Sequence, residues 1–274
     1  MKIALGIEYD GSRYHGWQRQ KSTELTVQEK VEDGLAKLAN HEVRIVCAGR
    51  TDAGVHAFEQ VAHFETEKVR SAHEWVFGCN ASLPDDIRVI WHKNVEDDFH
   101  ARFSAVARYY RYEILNRPIK SALHRNHVTT IHLPLDEQLM QTAANTLVGT
   151  HDFTSFRAQN CQAKSPVKQL HWINIKRYND KVIIDVIANA FLHHMVRNIV
   201  GSLLPIGLGK KEPNWLTEVL HAKDRKAAGA TARPTGLYFK GVYYPKYFGL
   251  PIHRAFEPFG ERIDPTLSTI NKLI

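Results

Sequence analysis

Four side chains suited to polar chemistry fall within the stretch Cys47-Ala48-Gly49-Arg50-Thr51-Asp52-Ala53-Gly54-Val55-His56-Ala57: a guanidinium at Arg50, a hydroxyl at Thr51, a carboxylate at Asp52 and an imidazole at His56. Little apolar material separates them, so this is not a core strand. The preceding Val43-Arg44-Ile45-Val46 is β-branched and reads as a strand running into a tight turn. Gly49 and Gly54 bracket the turn, glycine being the residue for positive φ or close approach. Asp52 is thereby set at an exposed bend. One reading has its carboxylate cap the turn by bonding the backbone two residues on. The other has it presented as an ionised nucleophile, general base or stabiliser of an electron-poor carbon.

The elements that must position this turn follow from periodicity. Residues 2–9 alternate and stop at Asp10-Gly11-Ser12, a strand and its turn. Thr26-Val27-Gln28-Glu29 is a capping box, and Val27, Val31, Leu35 and Leu38 share one face, predicting a helix to about Asn40. Strands are expected at 60–66 and 87–95, with a helix between them opened by a second box, Ser71-Ala72-His73-Glu74. The second half repeats this order. A strand at 108–115 puts Tyr110, Tyr112 and Ile114 on one face, and a helix at 136–148 is closed by Gly149. A hairpin turns at Asn179-Asp180, a helix beginning near His193 buries Met195, Val196, Ile199, Val200 and Leu203, a short helix starts at Pro213, and a last strand covers 237–244. Two βαββαβ runs predict an α+β fold of two ferredoxin-like halves, 1–105 and 106–247, joined into one mixed, mainly antiparallel central sheet, with an irregular tail at 248–274.

Composition narrows the partners. The 274 residues are 43% hydrophobic and 24% charged, the balance of a globular protein with a proper core. Thirty-six Lys+Arg against 29 Asp+Glu give +7, which favours a polyanion. Cys47, Cys79 and Cys161 lie too far apart for paired metal-ligand spacing and imply no disulfide framework. No signal-peptide pattern opens the chain and no run nears the ~20 apolar residues of a membrane span, so a cytoplasmic protein without membrane association is expected. Three segments carry basic groups suited to RNA, one of them Lys223, Arg225 and Lys226 near the end. After the first strand, Arg13, Arg19 and Lys21 interleave with Tyr14, His15 and Trp17, a mixture for phosphate contact and base stacking; Trp17 is equally suited to anchor the loop. Residues 157–168 add Arg157, Lys164 and Lys168 around Pro166.

The segment G-R-T-D-A-G-V-H-A at 49–57 resembles the catalytic-aspartate motif of the TruA-type tRNA pseudouridine synthases. Further likenesses follow in G-W-Q-x-Q (16–20), F-H-A-R-F-S-A (99–105), D-F-x-S-F (152–156) and F-L-H-H-M-V-R-N-I-V-G (191–201). The resemblance implies the pseudouridine synthase fold and an isomerase that breaks the bond between uracil N1 and ribose C1′ and rejoins C1′ to C5, without metal or cofactor. It implies Asp52 as the catalytic group, acting on C1′, on the base or on a sugar proton, on a uridine flipped out of its helix. Tyr110 would stack on the uracil, Arg50 would fill the vacated stack or hold the displaced phosphate, and Arg197 would favour the ionised carboxylate. Arg13, Trp17, Arg157 and Lys164 would contact RNA. It also implies tRNA positions 38 to 40 as targets and a homodimer.

Taken without the resemblance, Tyr110 also suits a core strand and Arg197 a solvated helix face. His193-His194 invites a metal, but adjacent helix residues point about 100° apart and share an ion poorly. Two other functions compete. A non-catalytic RNA-binding protein of paired ferredoxin-like modules would want the K/R-G-F/Y-G/A-F-V-x-F/Y stretch, which is missing. A glycosidic hydrolase would want a second carboxylate near Asp52, and the nearest in sequence is Glu59.

Overall fold

A computed structural model describes residues 1–251. Its strands are β1 (Lys2–Tyr9), β2 (Val46–Cys47), β3 (His56–Glu65), β4 (Ile87–Val95), β5 (Ala107–Asn116), β6 (Thr129–Ile131), β7 (Gly149–Asp152), β8 (Val167–Tyr178), β9 (Lys181–Ala188) and β10 (Leu237–Tyr243). Its α-helices are α1 (Val27–Ala39), α2 (Glu137–Ala144), α3 (Met195–Gly207) and α4 (Trp215–Ala222). The fold is α+β with a mixed, mainly antiparallel central sheet. Two compact units divide the described residues: Met1–Arg108 with 238–251, and Tyr109–Leu237. The tail expected at 248–274 lies outside the described residues from 252 on; before that, Phe248 is buried against Phe99, ring centroids 5.1 Å apart.

In the first unit the strand order is β4-β1-β3-β10, with β2 also on β3. β1 pairs antiparallel with both β3 and β4, from Lys2 opposite Glu65 and Val95 to Tyr9 opposite Ala57 and Ile87. α1 starts at Thr26, whose side chain accepts the Glu29 amide, and ends at Asn40 in the left-handed region, φ 56°. It buries Val27, Val31 and Leu35 completely, each worth about 1.5–3 kcal/mol. The helix expected after Ser71 forms behind the predicted box, Ser71 and Glu74 bonding each other's amides. It winds as a π-helix over Glu74–Gly78 and buries Trp75.

Two local expectations change. The strand at 43–46 shrinks to Val46–Cys47 because the Ile45 amide donates to Glu32 Oε1 at 3.1 Å, a side-chain acceptor that replaces a strand partner. The strand read as the end of the second half, β10, pairs parallel with β3 through Tyr238 opposite His56 and Phe239 opposite Ala57. The Tyr238 ring stacks on His56 at 4.9 Å and the Lys240 ammonium sits 3.6 Å from the Phe58 ring centre. These partners lie some 180 residues away in sequence, beyond the reach of local periodicity.

In the second unit the order is β5-β9-β8-β7, with β6 parallel to β5. β8 and β9 form the expected hairpin, Tyr178 opposite Lys181, with Asn179 at φ 51° in the turn. α2 stops at Ala144, short of the expected Val148; the chain tightens into a 3-10 turn over Asn145–Leu147, and Gly149, at φ 117°, opens β7 instead of capping the helix. α3 buries the predicted apolar stripe. Its Gly201 lets the backbone of Ala230 approach so closely that a Cβ there would stand 1.8 Å from that carbonyl.

Candidate active site and RNA-contacting residues

Asp52 lies in the first unit between β2 and β3, half-buried, with Thr51, Val55 and His56 buried around it. The Val55 amide donates to the Asp52 carbonyl at 3.2 Å, closing a turn whose third residue, Gly54, has φ 76°. Gly49 does not take positive φ. Its peptide is clasped by the Gln60 carboxamide, whose Nε2 donates to Gly49 O and whose Oε1 accepts the Gly49 amide. Arg50 is exposed two residues before Asp52.

The loop after β1 holds this turn from below. The Trp17 amide donates to Thr51 O at 3.0 Å, the Gly54 amide to Tyr14 O at 3.3 Å, and the Tyr9 and Thr51 hydroxyls share a bond of 2.8 Å. Gly16 is at φ 92°, and a Cβ there would stand 2.6 Å from Thr51 O. The Trp17 side chain is 1% exposed and packs near Tyr9, so it anchors the loop and does not face RNA, a correction to the expected contact. Burying so large a ring outweighs displaying it. Arg13 does project outward, its side chain 81% exposed and 3.5 Å from Asp86. His56 is buried, with Nδ1 accepting the Gly11 amide and facing Asp10 at 3.0 Å, which makes it a turn residue.

In the second unit, Tyr110 is buried on β5 with its ring edge-on to Phe191, centroids 5.0 Å apart. Arg197, half-buried on α3, donates from Nε to Ala232 O at 2.8 Å while its own carbonyl accepts the Ala232 amide. It is therefore docked on the 228–233 segment and is not a solvated helix residue. The neighbouring Asn198 fixes that segment further, bonding Thr231 and Arg225. Arg157 turns back on its own loop, donating to the carbonyls of Cys161 and Ala163 at 2.6 and 3.0 Å. Lys164 is exposed. The D-F-x-S-F stretch is largely core: Phe153, Ser155 and Phe156 are fully buried.

Set against known proteins, residues 6–104 and 143–245 match a family model described as tRNA pseudouridine synthase. The chain belongs to the tRNA pseudouridine synthase family. Relatives named tRNA pseudouridine synthase A agree: that of Methylococcus capsulatus is 54% identical over 94% of this chain and 94% of its own length. That of Colwellia psychrerythraea is 53% identical over 93% and 98%. A solved Cbf5-Nop10-Gar1 complex aligns with TM-score 0.37 at 11% identity, over 86% of this chain and 48% of that chain, too distant to bear on fold or function. Arg50, Asp52, Arg157, Lys164 and Arg197 all lie inside the segments matched by the tRNA pseudouridine synthase model, and Tyr110 falls between them. No helix among the described residues is long and apolar enough to cross a membrane.

Around the synthase motif, burial sets the protonation of the frame. Glu59 on β3 accepts the Trp91 indole N–H at 2.9 Å, and burial raises its carboxyl to about 7 against that bond. A carboxylate so engaged in the sheet does not suit the hydrolase reading. His63, farther along β3, is lowered to about 4 by burial and then by His100; its Nδ1 accepts the Ala101 amide. Burial pushes the Cys47 thiol up to about 12 despite Arg50 nearby. Glu32 and Arg108 escaped the sequence reading. Glu32, 2% exposed, gathers Gln28, Arg19, Arg44 and the Ile45 amide, tying α1 to both arms of the Asp52 region. An acid beside the apolar stripe of α1 was the available signal. Arg108 donates to the carbonyls of Ala48, Arg102 and Ala105, and nothing local marked it, since its strand also carries Arg111 and Glu113.

Proposed function

We propose that Asp52 is the carboxylate through which this chain isomerises uridine to pseudouridine in tRNA, at positions 38 to 40 of the anticodon arm, working in the cytoplasm as a homodimer. In the reaction the N1–C1′ bond breaks, the C1′–C5 bond forms, N1 gains a proton and C5 loses one, with no net oxidation. One carboxylate suffices, either by adding to an electron-poor centre or by moving a sugar proton while uracil leaves. Tyr110 stacks on and orients the uracil, Arg197 brings positive charge to the reacting nucleotide, and Arg50 occupies the gap or phosphate left by the flipped base. Arg13, Arg157 and Lys164 lie against the RNA backbone.

The observation that carries this reading is the mounting of Asp52. Its turn is gripped by main-chain bonds on both sides, from Trp17 to Thr51 and from Gly54 to Tyr14, while Asp52 itself stays only half-buried between buried Thr51 and exposed Ala53. A turn that needed only a cap would not require this support. Asp52→Asn keeps the shape and removes the base and nucleophile. Incubated with unmodified tRNA, it is expected to form no pseudouridine while tRNA affinity stays within about threefold. Turnover within tenfold of wild type would take Asp52 out of the chemistry.

A further inference from the structure

The segment between β4 and β5 ends in a turn fastened on every side. The Ala101 amide bonds His63, Tyr244 donates to Ala101 O at 2.6 Å, and the Val106 amide donates to Tyr243 O at 2.9 Å. Arg108, itself buried, collects the carbonyls of Arg102 and Ala105 and reaches Ala48 O, four residues before Asp52. Within the turn, His100 Nδ1 accepts the amides of both Arg102 and Phe103, and the Ser104 hydroxyl takes the His100 amide.

Phe103 nevertheless stands 76% exposed at the tip. Its ring is not loose: it stacks on His100, centroids 4.3 Å apart and planes 30° apart, with the Arg102 guanidinium 5.6 Å from its centre. His100 is in turn set against His63 at 4.8 Å. Burial first, then Lys2 and Arg102, lower the His100 imidazole, so the ring beneath Phe103 is neutral and flat. Arg102 and Arg50 are both exposed, and both act on the Cys47 thiol, which brings the two cations into one neighbourhood. An aromatic step backed by an imidazole, largely exposed and flanked by cations, matches the means by which proteins hold unpaired bases.

We propose that Phe103, backed by His100, is a stacking platform for an unpaired RNA base beside the target uridine, with Arg102 on the adjoining phosphate. The proposal rests on tRNA being the substrate. It gives the F-H-A-R-F-S-A segment a binding role separate from the chemistry of Asp52. A second copy of the chain seated on the same ring is the competing occupant, and the flanking cations argue for RNA.

The test uses the full chain and unmodified tRNA, with Phe103→Ala, Phe103→Leu and Phe103→Trp compared for affinity. Alanine and leucine are expected to weaken binding about tenfold, the scale of one base–aromatic stack, without altering the salt slope. Tryptophan should bind within about twofold of wild type, its emission quenched as tRNA is added. Leucine keeps apolar area without a π face, so leucine binding like wild type would overturn the platform. So would alanine within twofold, tryptophan emission indifferent to tRNA, or a change in sedimentation showing that a second copy covers the ring. Wild type that isomerises tRNA while Phe103→Ala binds normally would sink the platform alone. Wild type that neither binds nor isomerises tRNA would sink the functional reading with it.

Discussion

The Asp52 turn and the 157–165 loop both carry residues assigned to RNA work, and they are built in opposite ways. The first is held by main chain against main chain: Trp17 to Thr51, Gly54 to Tyr14, Val55 to Asp52. The second has main-chain bonds at its start, Ala158 to His193 and Cys161 to Ala158, and beyond them is gathered by one side chain, the Arg157 guanidinium on the carbonyls of Cys161 and Ala163, with Gln159, Asn160, Gln162 and Lys164 exposed around it. Backbone clamps fix a reacting group closely, as chemistry demands. A loop gathered by a long flexible ion can adjust, which suits a phosphate contact that only positions.

The largest break comes from inserting a methyl beside the Asp52 turn, whose carboxylate we propose reacts. Gly16→Ala places a Cβ 2.6 Å from Thr51 O at a φ of 92°, so the clamp must open. Displacing a reacting group by about 1 Å can cost 10²-fold, and turnover should fall about 100-fold with tRNA affinity little changed. Single-turnover assays with a parallel binding curve would check it, and a loss confined to affinity would contradict the contrast.

The frame behind the turn should show itself by pH. Glu59 is raised to about 7 from 4.5, so its contribution is present below 4.5 and lost as pH rises through 7. His63 is lowered to about 4 from 6.5, so its contribution is present above 6.5 and lost as pH falls through 4. Between 4.5 and 6.5 the two slopes oppose. Glu59→Gln leaves His63 uncompensated, and Tm should then drop more steeply on acidification than in wild type. Parallel wild-type and variant curves would refute this pairing.

Smaller effects are expected from the loop. Arg157→Ala removes two charge-assisted bonds, each worth about 1.5–3 kcal/mol when well made, but the freed loop can resettle, so tRNA affinity should weaken only about three- to tenfold. Turnover at saturating tRNA is the control that separates it from Gly16→Ala. The smallest effects are those of Lys164→Ala and Arg13→Ala, each expected to make the log–log salt slope shallower by about one unit on every tRNA alike. A substrate-selective loss from either would mean that the side chain reads bases.

Local rules made much of the frame legible: the Thr26 cap, the alternation of β1, the span of β4, and the Asn179-Asp180 hairpin all lie where sequence neighbours dictate them. What failed depended on distant partners. Ile45 left its strand for the Glu32 carboxylate, Trp17 took the loop-anchoring role that its composition left open beside RNA contact, and β10 paired with a strand from the other end of the chain. The composition of the 152–156 stretch, Asp-Phe-Thr-Ser-Phe, reads as surface until its two phenylalanines are seen to be core. For the site, residue types and spacing pointed to Asp52, whereas Arg108 and the support it gives became visible only in three dimensions.

The route of β10 bears on synthesis. β1 occupies one edge of β3, so β2 and β10 share the other, and the stretch of that edge beside His56 and Ala57 is filled only by residues made long after it. As the chain leaves the ribosome, the first unit stands open until the whole second unit has been translated. An uncovered strand edge is a template for unwanted pairing. Nascent chains stalled before Leu237 should therefore be the aggregation-prone intermediates, and the strand that follows Asp52 is among the last pieces of this protein to be sealed.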